Sequence, residues 1–582
     1  MCSISGYYKL SEEAKVLENF FKDSFDLMRH RGPDFEKFIQ INSKVSLGHQ
    51  RLSIIDLHEE SNQPFKDETN YISFNGEIFN YKELIKSNLI QYSFKTESDT
   101  EVLIKGLNTY GLDFLNKLNG MFAFAYYSNQ TLYLVRDRFG LKPLYYSIIN
   151  DVLYFSSEIK PLLKIQEKTI LNKKAIKSYL KDTATDYDKE TFFQNIFQVQ
   201  KGTYLKLVNN KPIEIVKWYH NNDYQFDEEI FNNYNQTISY VEKLITDAIK
   251  IRLQSDVPLC MTISGGIDSS LIYTLIKDNL KKDIKLFTFS HNNVQTDELP
   301  KVLKLAKLYN DEVEIIKSNT SLNLKSIQSD IYVLESPIWG LHSGAYRDVY
   351  KKIKERGFKV VIEGHGGDEQ LAGYDFMLEG NLVDNIIRFN YKESKEALNI
   401  IYNNKYFKSK NKLFFSILLI LKISLKLFTK PFSNKRLSSI IKWTFDYKIL
   451  PIVLRTFDRL PMKSSLESRS PYLDYRLVEF FTKMPNSFKV NNIGNKAILR
   501  EILKKHGKDF IYLDQRKMGF SDDLSYLEKT KKIEKIKKDL NINYSIPIYK
   551  SFLNKIFGNN NLNHLQKVIQ LKVTENHFSS NE

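Results

Sequence analysis

Cysteine occupies position 2, directly behind the initiator Met1. Removal of Met1 is expected before so small a residue, and it leaves Cys2 with a thiol and a free α-amine together. A thiol of pKa roughly 8.5 reacts as its thiolate, and an α-amine of pKa about 7.7–8.0 is a competent base at neutral pH. A nucleophile served by its own amine suits acyl transfer. Other strings supply what an amino-acid amide under attack would need. Arg51, at the end of Gly48-His49-Gln50-Arg51, offers a bidentate fork to a carboxylate. Asn75 and the Gly76 N–H can face a developing oxyanion. Glu77 and Asp99 can hold an α-ammonium group, and Ser98-Asp99-Thr100-Glu101 has the pattern of a helix start. Alone, each is a turn residue or a surface ion pair; the set points to chemistry.

A second set lies downstream. Ser264-Gly265-Gly266-Ile267-Asp268-Ser269-Ser270 stands between a strand pattern and a helix pattern. Its glycines let backbone N–H groups approach a polyphosphate, and a helix N-terminus adds a favourable field. Ser269 and Ser270 add hydroxyls, and Asp268 can bind Mg2+. Glu363-Gly364-His365-Gly366-Gly367-Asp368-Glu369 follows another strand pattern, which places its acids for metal and phosphate at a strand's carboxyl end. Lys496, read by itself, is a solvated helix face.

Two architectures are needed to position these residues. Alternating apolar runs at Val45–Leu47, Tyr71–Phe74, Met121–Tyr127, Thr131–Val135 and Val152–Ser156 predict β-strands within 1–220, with helices over Ala14–Phe25 and Thr100–Thr109 outside them. The polar, acidic stretch 221–232 reads as a linker. Within 233–582, strand patterns at Leu259–Ile263, Lys285–Phe289 and Phe358–Ile362 alternate with helix patterns, which argues a parallel α/β sheet. After 380 the chain reads mostly helical, and the Lys/Asn-rich tail beyond about 530 reads as partly loose.

Composition narrows the setting. A chain of 582 residues is too long for one core. Two cysteines make no disulfide framework, which with the lack of a signal-peptide pattern predicts a cytoplasmic protein. The net charge of +16 invites nucleic acid, but lysine rises with asparagine and isoleucine throughout, and no basic–aromatic module stands out; no nucleic-acid partner is expected. The apolar run Leu413–Phe428 is interrupted by Lys422 and Lys426 and falls short of the ~20 residues of a membrane span. The basic segment 410–435 therefore reads first as a buried or partner-facing helix, and second as a peripheral membrane contact. The oligomeric state is left open, a homodimer included.

Taken together, Cys2, Arg29–Asp34, Gly48–Asp56, Phe74–Tyr81, Ser98–Glu101, Asn119–Ala123, Arg136–Leu144 and Ser156–Lys160 resemble the N-terminal-nucleophile glutaminase domain of class II glutamine amidotransferases. The resemblance implies an αββα sandwich that hydrolyses L-glutamine, with Cys2, Asn75 and Gly76 catalytic and Arg51, Asn75, Glu77 and Asp99 binding glutamine. The Ser264–Ser270 string resembles the pyrophosphate loop of ATP pyrophosphatases. Order and spacing across roughly 1–525, including Ser468–Asp474, Lys496 and Lys517–Phe520, resemble glutamine-hydrolysing asparagine synthetase.

That family's chemistry implies ATP and Mg2+. An acceptor carboxylate attacks the α-phosphate, pyrophosphate leaves, and ammonia arriving through an internal tunnel displaces AMP. A dry passage keeps ammonia unprotonated and nucleophilic. By the resemblance, Ser264, Gly265, Gly266, Asp268, Ser269 and Ser270 hold the triphosphate. Main-chain groups near Thr262, His291 and Glu363-Gly364 hold the nucleoside. Lys496 clamps pyrophosphate, Asp268 and Asp368 carry Mg2+, and His365 and Glu369 face the acceptor.

The departures cluster on the acceptor side. His365 stands where the family has an acid, His291 where an aliphatic residue flanks adenine, and Ser336-Pro337-Ile338-Trp339-Gly340 replaces an acidic version. The expected acceptor is L-aspartate; the alternative is another carboxylate, such as a sugar acid of surface polysaccharide.

Overall fold

Period-two alternation builds the first half of the molecule. In the strand Ser3–Lys9, Ile4 and Tyr8 enter one core and Tyr7 the core on the opposite face; in Val152–Ser156, Leu153 and Phe155 alternate with Val152 and Tyr154 in the same way. The computed structural model describes residues 2–186, 188–290, 298–317, 323–338, 344–404, 436–514, 526–540 and 560–579.

Two antiparallel six-stranded sheets form within residues 3–217. One runs Phe197–Gln198, Tyr145–Ile149, Val152–Ser156, Ser3–Lys9, Val45–Arg51, Phe35–Gln40. The other runs Glu214–Lys217, Thr203–Val208, Thr131–Arg136, Gly120–Ser128, Asn70–Ile78, Phe65–Asp67. Leu47, Leu153 and Phe155 meet Ala125, Leu134 and Leu205 between them. Helix Phe20–Met28 covers the outer face of the first sheet and Asp99–Tyr110 that of the second, which makes the expected αββα sandwich.

The predicted helix over Ala14–Phe25 is corrected: helix begins at Phe20, because the Leu17 N–H donates to the Tyr154 hydroxyl at 2.9 Å and holds residues 14–17 out of helix. The stretch 221–232 runs along the second half, with the Asp223 and Tyr224 N–H groups donating to Glu479 and Phe226 packed against Phe480.

A five-stranded parallel sheet organises that half, in the order Val313–Lys317, Lys285–Ser290, Leu259–Thr262, Val360–Ile362, Glu467–Arg469. The chain builds outward from Leu259–Thr262 in one direction and then returns to its other side with Val360–Ile362. The strand order therefore reverses between those two, and ligands bind outside the carboxyl ends at such a reversal. Both glycine-rich loops leave from there. Helices predominate afterwards, among them Asp375–Ile387, Leu450–Lys463, Tyr475–Lys483 and Ala497–Lys505.

Part of the tail beyond 530 falls among the described residues. Helix Asn560–Ser579 buries Leu565, Ile569 and Val573, one turn apart, against the helix Leu324–Leu334. The segment 410–435, His291, Trp339-Gly340 and Lys517–Phe520 lie outside the described residues. Among the described residues no helix is long and apolar enough to cross a membrane.

The two halves meet on buried charge. Arg31, Lys160 and Arg459 interlock with Glu158, Glu335 and Asp458: Arg31–Asp458 at 2.8 Å, Arg459–Glu335 at 2.8 Å and Lys160–Glu158 at 2.6 Å. Three cations against three carboxylates leave no net charge in the seam, which is what makes such burial tolerable.

Candidate active sites

Cys2 lies at the start of the central strand Ser3–Lys9 of its sheet, and Asn75-Gly76-Glu77 on Asn70–Ile78 of the facing sheet. The strands bring them together: the Cys2 N–H donates to Asn75 Oδ1 at 3.0 Å. Asn75 Nδ2 is buried with no hydrogen-bond partner among the described residues. A side chain at position 76 would collide with the Met121 carbonyl at 2.0 Å, so only glycine permits this approach of strands beside the nucleophile. Burial pushes the Cys2 thiol up, while the Leu52 N–H and Arg51 pull it back.

The Cys2 pocket is lined by Arg51, Gly76, Glu77, Ser98, Asp99 and, from the second half, Glu467. Asp99 opens its helix behind the Ser98 cap and accepts from the Ile78 N–H at 2.9 Å. Burial and then Asp99 push the Glu77 carboxyl up; burial likewise raises Asp99 to about 6. The Arg51 fork braces the adjoining loop, donating to the His58 carbonyl at 2.9 Å and Asn62 Oδ1 at 2.8 Å, so a substrate carboxylate would join contacts already made.

The second site sits at the reversal of the parallel sheet. Thr262, Ser264, Gly265, Gly266, Asp268, Ser269, Glu363, Gly364, His365, Asp368 and Lys496 line one cleft. Gly265 takes a left-handed φ of 75°, and Gly364 brings its loop so close to the other that a Cβ would lie 3.1 Å from the Ser269 nitrogen. The Ser264 and Ser269 hydroxyls meet at 3.1 Å. Lys496 ion-pairs with Asp268 and, at 2.7 Å, with Asp368. Burial alone would lower the Lys496 ammonium, but the two carboxylates carry it above its ordinary value.

Two expected residues do not join this cleft. Ser270 is turned into the protein on the helix Ile267–Asp278, the buried face of an amphipathic turn. Glu369 is buried and accepts from the Tyr374 hydroxyl at 2.5 Å. Residues that motif reading did not single out as site residues complete the wall: Glu298, Lys301, Tyr346, Tyr350, Asn495, Arg500 and Asp514. Tyr350 donates to Glu363 at 2.9 Å, and its helix offered no signal beyond an amphipathic period.

His365 stacks on Phe457, ring centroids 3.5 Å apart, and lies 3.5 Å from Glu363. Burial alone would raise the Glu363 carboxyl, yet His365, Ser468 and Tyr350 hold it below its ordinary value. His365 also lines a narrow cavity with Phe79, Met121, Leu141, Val453, Leu454, Phe457 and Leu473, and with the polar or charged Lys142, Arg252, Asp458, Ser468 and Ser470. Met121 pairs with Glu77 in the sheet of the Cys2 pocket, so this cavity of mixed apolar and charged lining lies between the two sites.

A family model described as a glutamine amidotransferase domain matches residues 1–219, and one described as asparagine synthase matches residues 240–571. An amidase of Gibberella zeae is 27% identical over an alignment of 600 positions, covering 88% of this chain and 88% of that protein. Two glutamine-hydrolysing asparagine synthetases of Bacillus subtilis are 27% identical over 559 positions (89% of this chain, 87% of theirs) and 29% identical over 538 positions (86% and 69%).

Proposed function

The chain belongs to the asparagine synthase family, and on that premise we propose that it moves the amide nitrogen of L-glutamine onto an adenylated carboxylate, with L-aspartate as the acceptor. The observation that carries this reading is the pairing of chambers: Cys2 with an orphaned buried donor in one, glycine-rich loops around Asp268, Asp368 and Lys496 in the other, and a narrow cavity between them that shares His365 with the second.

In this reading the Cys2 α-amine takes the thiol proton and Sγ attacks the glutamine side-chain carbonyl. Asn75 Nδ2 and the Gly76 N–H receive the oxyanion. The amine returns the proton to the leaving ammonia, and water then releases glutamate from the thioester. Ammonia crosses the narrow cavity along its apolar side chains, where exclusion of bulk water keeps it unprotonated.

In the cleft the acceptor carboxylate attacks the α-phosphorus of ATP and pyrophosphate departs toward Lys496. Ammonia next attacks the acyl-adenylate, and AMP leaves. His365, at the cavity mouth, is placed to take the ammonia's surplus proton. The donor set suits Mg2+, which binds through one or two carboxylates and completes its shell with phosphate oxygens; Asp268 and Asp368 would hold it. When bound, Mg2+ supplies charge neutralisation for the triphosphate.

A second reading keeps the chemistry and changes the acceptor to a sugar acid. His365, a neutral or cationic ring in place of a carboxylate, favours it. ATP–pyrophosphate exchange over a panel of carboxylates, with amide analysis of the products, decides between them. Exchange with L-aspartate and formation of asparagine supports the first reading; exchange with a uronic acid and none with aspartate replaces it with the second.

A further inference from the structure

The edge strand Glu467–Arg469 belongs to the parallel sheet of the ATP cleft, yet it faces two ways. Ser468 donates to Glu363 of that cleft at 2.5 Å. Its neighbours turn to the opposite side, as strand residues must. Glu467 lines the Cys2 pocket, and Arg469 Nη2 reaches Glu77 Oε2 at 3.1 Å across 392 residues of sequence. Arg469 is fully buried and immobilised: its Nε donates to Glu467 at 2.5 Å and its Nη1 to the Arg252 and Gln254 carbonyls at 2.9 and 2.5 Å.

We propose that Arg469, carried by the second half, is a positioning residue of the glutamine pocket: it fixes the Glu77 carboxylate that receives the substrate's α-ammonium. The glutaminase site is thus complete only where the two halves dock. This rests on the reading of the Cys2 pocket as a glutaminase.

The charges around Glu77 explain the need. Asp99 and Glu467 repel its carboxylate, while Arg469 attracts it; the Tyr81 hydroxyl lies within the same field. Two buried carboxylates side by side favour holding a proton between them until a cation arrives. Arg469 is the side-chain cation that opposes this. Without it, glutamine must displace a proton from Glu77 and find a side chain that is no longer held.

The test is steady-state glutamate release from glutamine, from pH 5.5 to 9, in the wild type, Arg469→Met, Arg469→Lys and Ser468→Ala, with free-ammonia amidation as the control for folding. Arg469→Met is expected to raise the glutamine KM about 10–100-fold, as loss of a buried charge-assisted contact does, with free-ammonia turnover within about 3-fold. The fall of KM with rising pH should shift to higher pH, because the carboxylates ionise later. Arg469→Lys should recover part of both effects, and Ser468→Ala, on the same strand's other face, should leave the glutamine KM unmoved. An unchanged KM in Arg469→Met overturns the proposal, as does an equal, pH-independent rise in Ser468→Ala. If Arg469→Met loses ammonia turnover as well, the Arg469→Lys pH profile decides: a shifted limb supports the proposal and a wild-type profile overturns it. A wild type that releases no glutamate fails the glutaminase reading instead.

Discussion

The Cys2 pocket and the ATP cleft solve opposite problems. The pocket is strand-built, and three of its polar side chains have backbone partners: Asn75 the Cys2 N–H, Asp99 the Ile78 N–H, Arg51 its loop carbonyls. Little can move, which suits a small substrate and a tetrahedral intermediate whose charge appears at one point. The cleft is loop-built, and its ionised groups satisfy one another, Lys496 standing between Asp268 and Asp368. In the proposed reading, a triphosphate with its metal would break that arrangement and take it over. The comparison teaches that one site is preformed and the other exchanges partners, so damage to each should read out differently.

The largest expected separation is at Cys2. Cys2→Ala should cut glutamine-dependent amidation at least about a thousandfold while free-ammonia amidation stays within about twofold. Parallel loss of both would break the two-chamber comparison. Next is the orphaned donor. Asn75→Ala should lower kcat for glutamine hydrolysis by about 10²–10³, in the range of a lost oxyanion-hole donor, with KM changed little because the bond forms after binding. A KM effect alone would make Asn75 a ground-state contact. In the exchanging cleft, Asp368→Asn should weaken Mg2+: the half-maximal concentration for pyrophosphate exchange rises about tenfold or more, with glutaminase activity untouched. Unchanged Mg2+ dependence would detach Asp368 from the metal.

How far each region was legible follows from the same contrast. The αββα half reads well where its site residues sit on a strand, whose period fixes the facing side, as for Asn75 and Glu77 on Asn70–Ile78; Asp99 comes from a helix start and joins Glu77 in the Cys2 pocket. The cleft reads well only along its two loops. Ser270 and Glu369 carry plausible chemistry in sequence but fall on the inward side of short helical turns, and loop strings have no period to reveal that. Arg469–Glu77 is beyond local reading altogether, because no pattern in either segment encodes a contact made by docking two halves. The tail helix was masked differently: the four-residue spacing of Leu565, Ile569 and Val573 is present, but diluted by Lys, Asn and Gln.

That tail gives the smallest expected effect, and one that touches neither chamber. Gln570 Oε1 accepts from the Tyr179 hydroxyl at 2.7 Å and from the Ile338 N–H at 2.8 Å, so a single buried amide joins the first half, the second half and the last helix. Gln570→Leu keeps the volume roughly and strands the Ile338 N–H, while the Tyr179 hydroxyl keeps only the Ile338 carbonyl at 3.5 Å. The cost of leaving a buried donor unpaired is about 1–3 kcal/mol, set against whatever the leucine gains by packing with Ile569 and Val573. A thermal-inactivation midpoint lowered by a few degrees, with the glutamine KM and pyrophosphate exchange unaltered at 25 °C, would keep the seam's stability separate from the chemistry on either side of it. If glutamine- and ammonia-dependent rates diverge in this variant, the helix transmits to one chamber more than the other, and the division into a preformed and an exchanging site must be redrawn to include it.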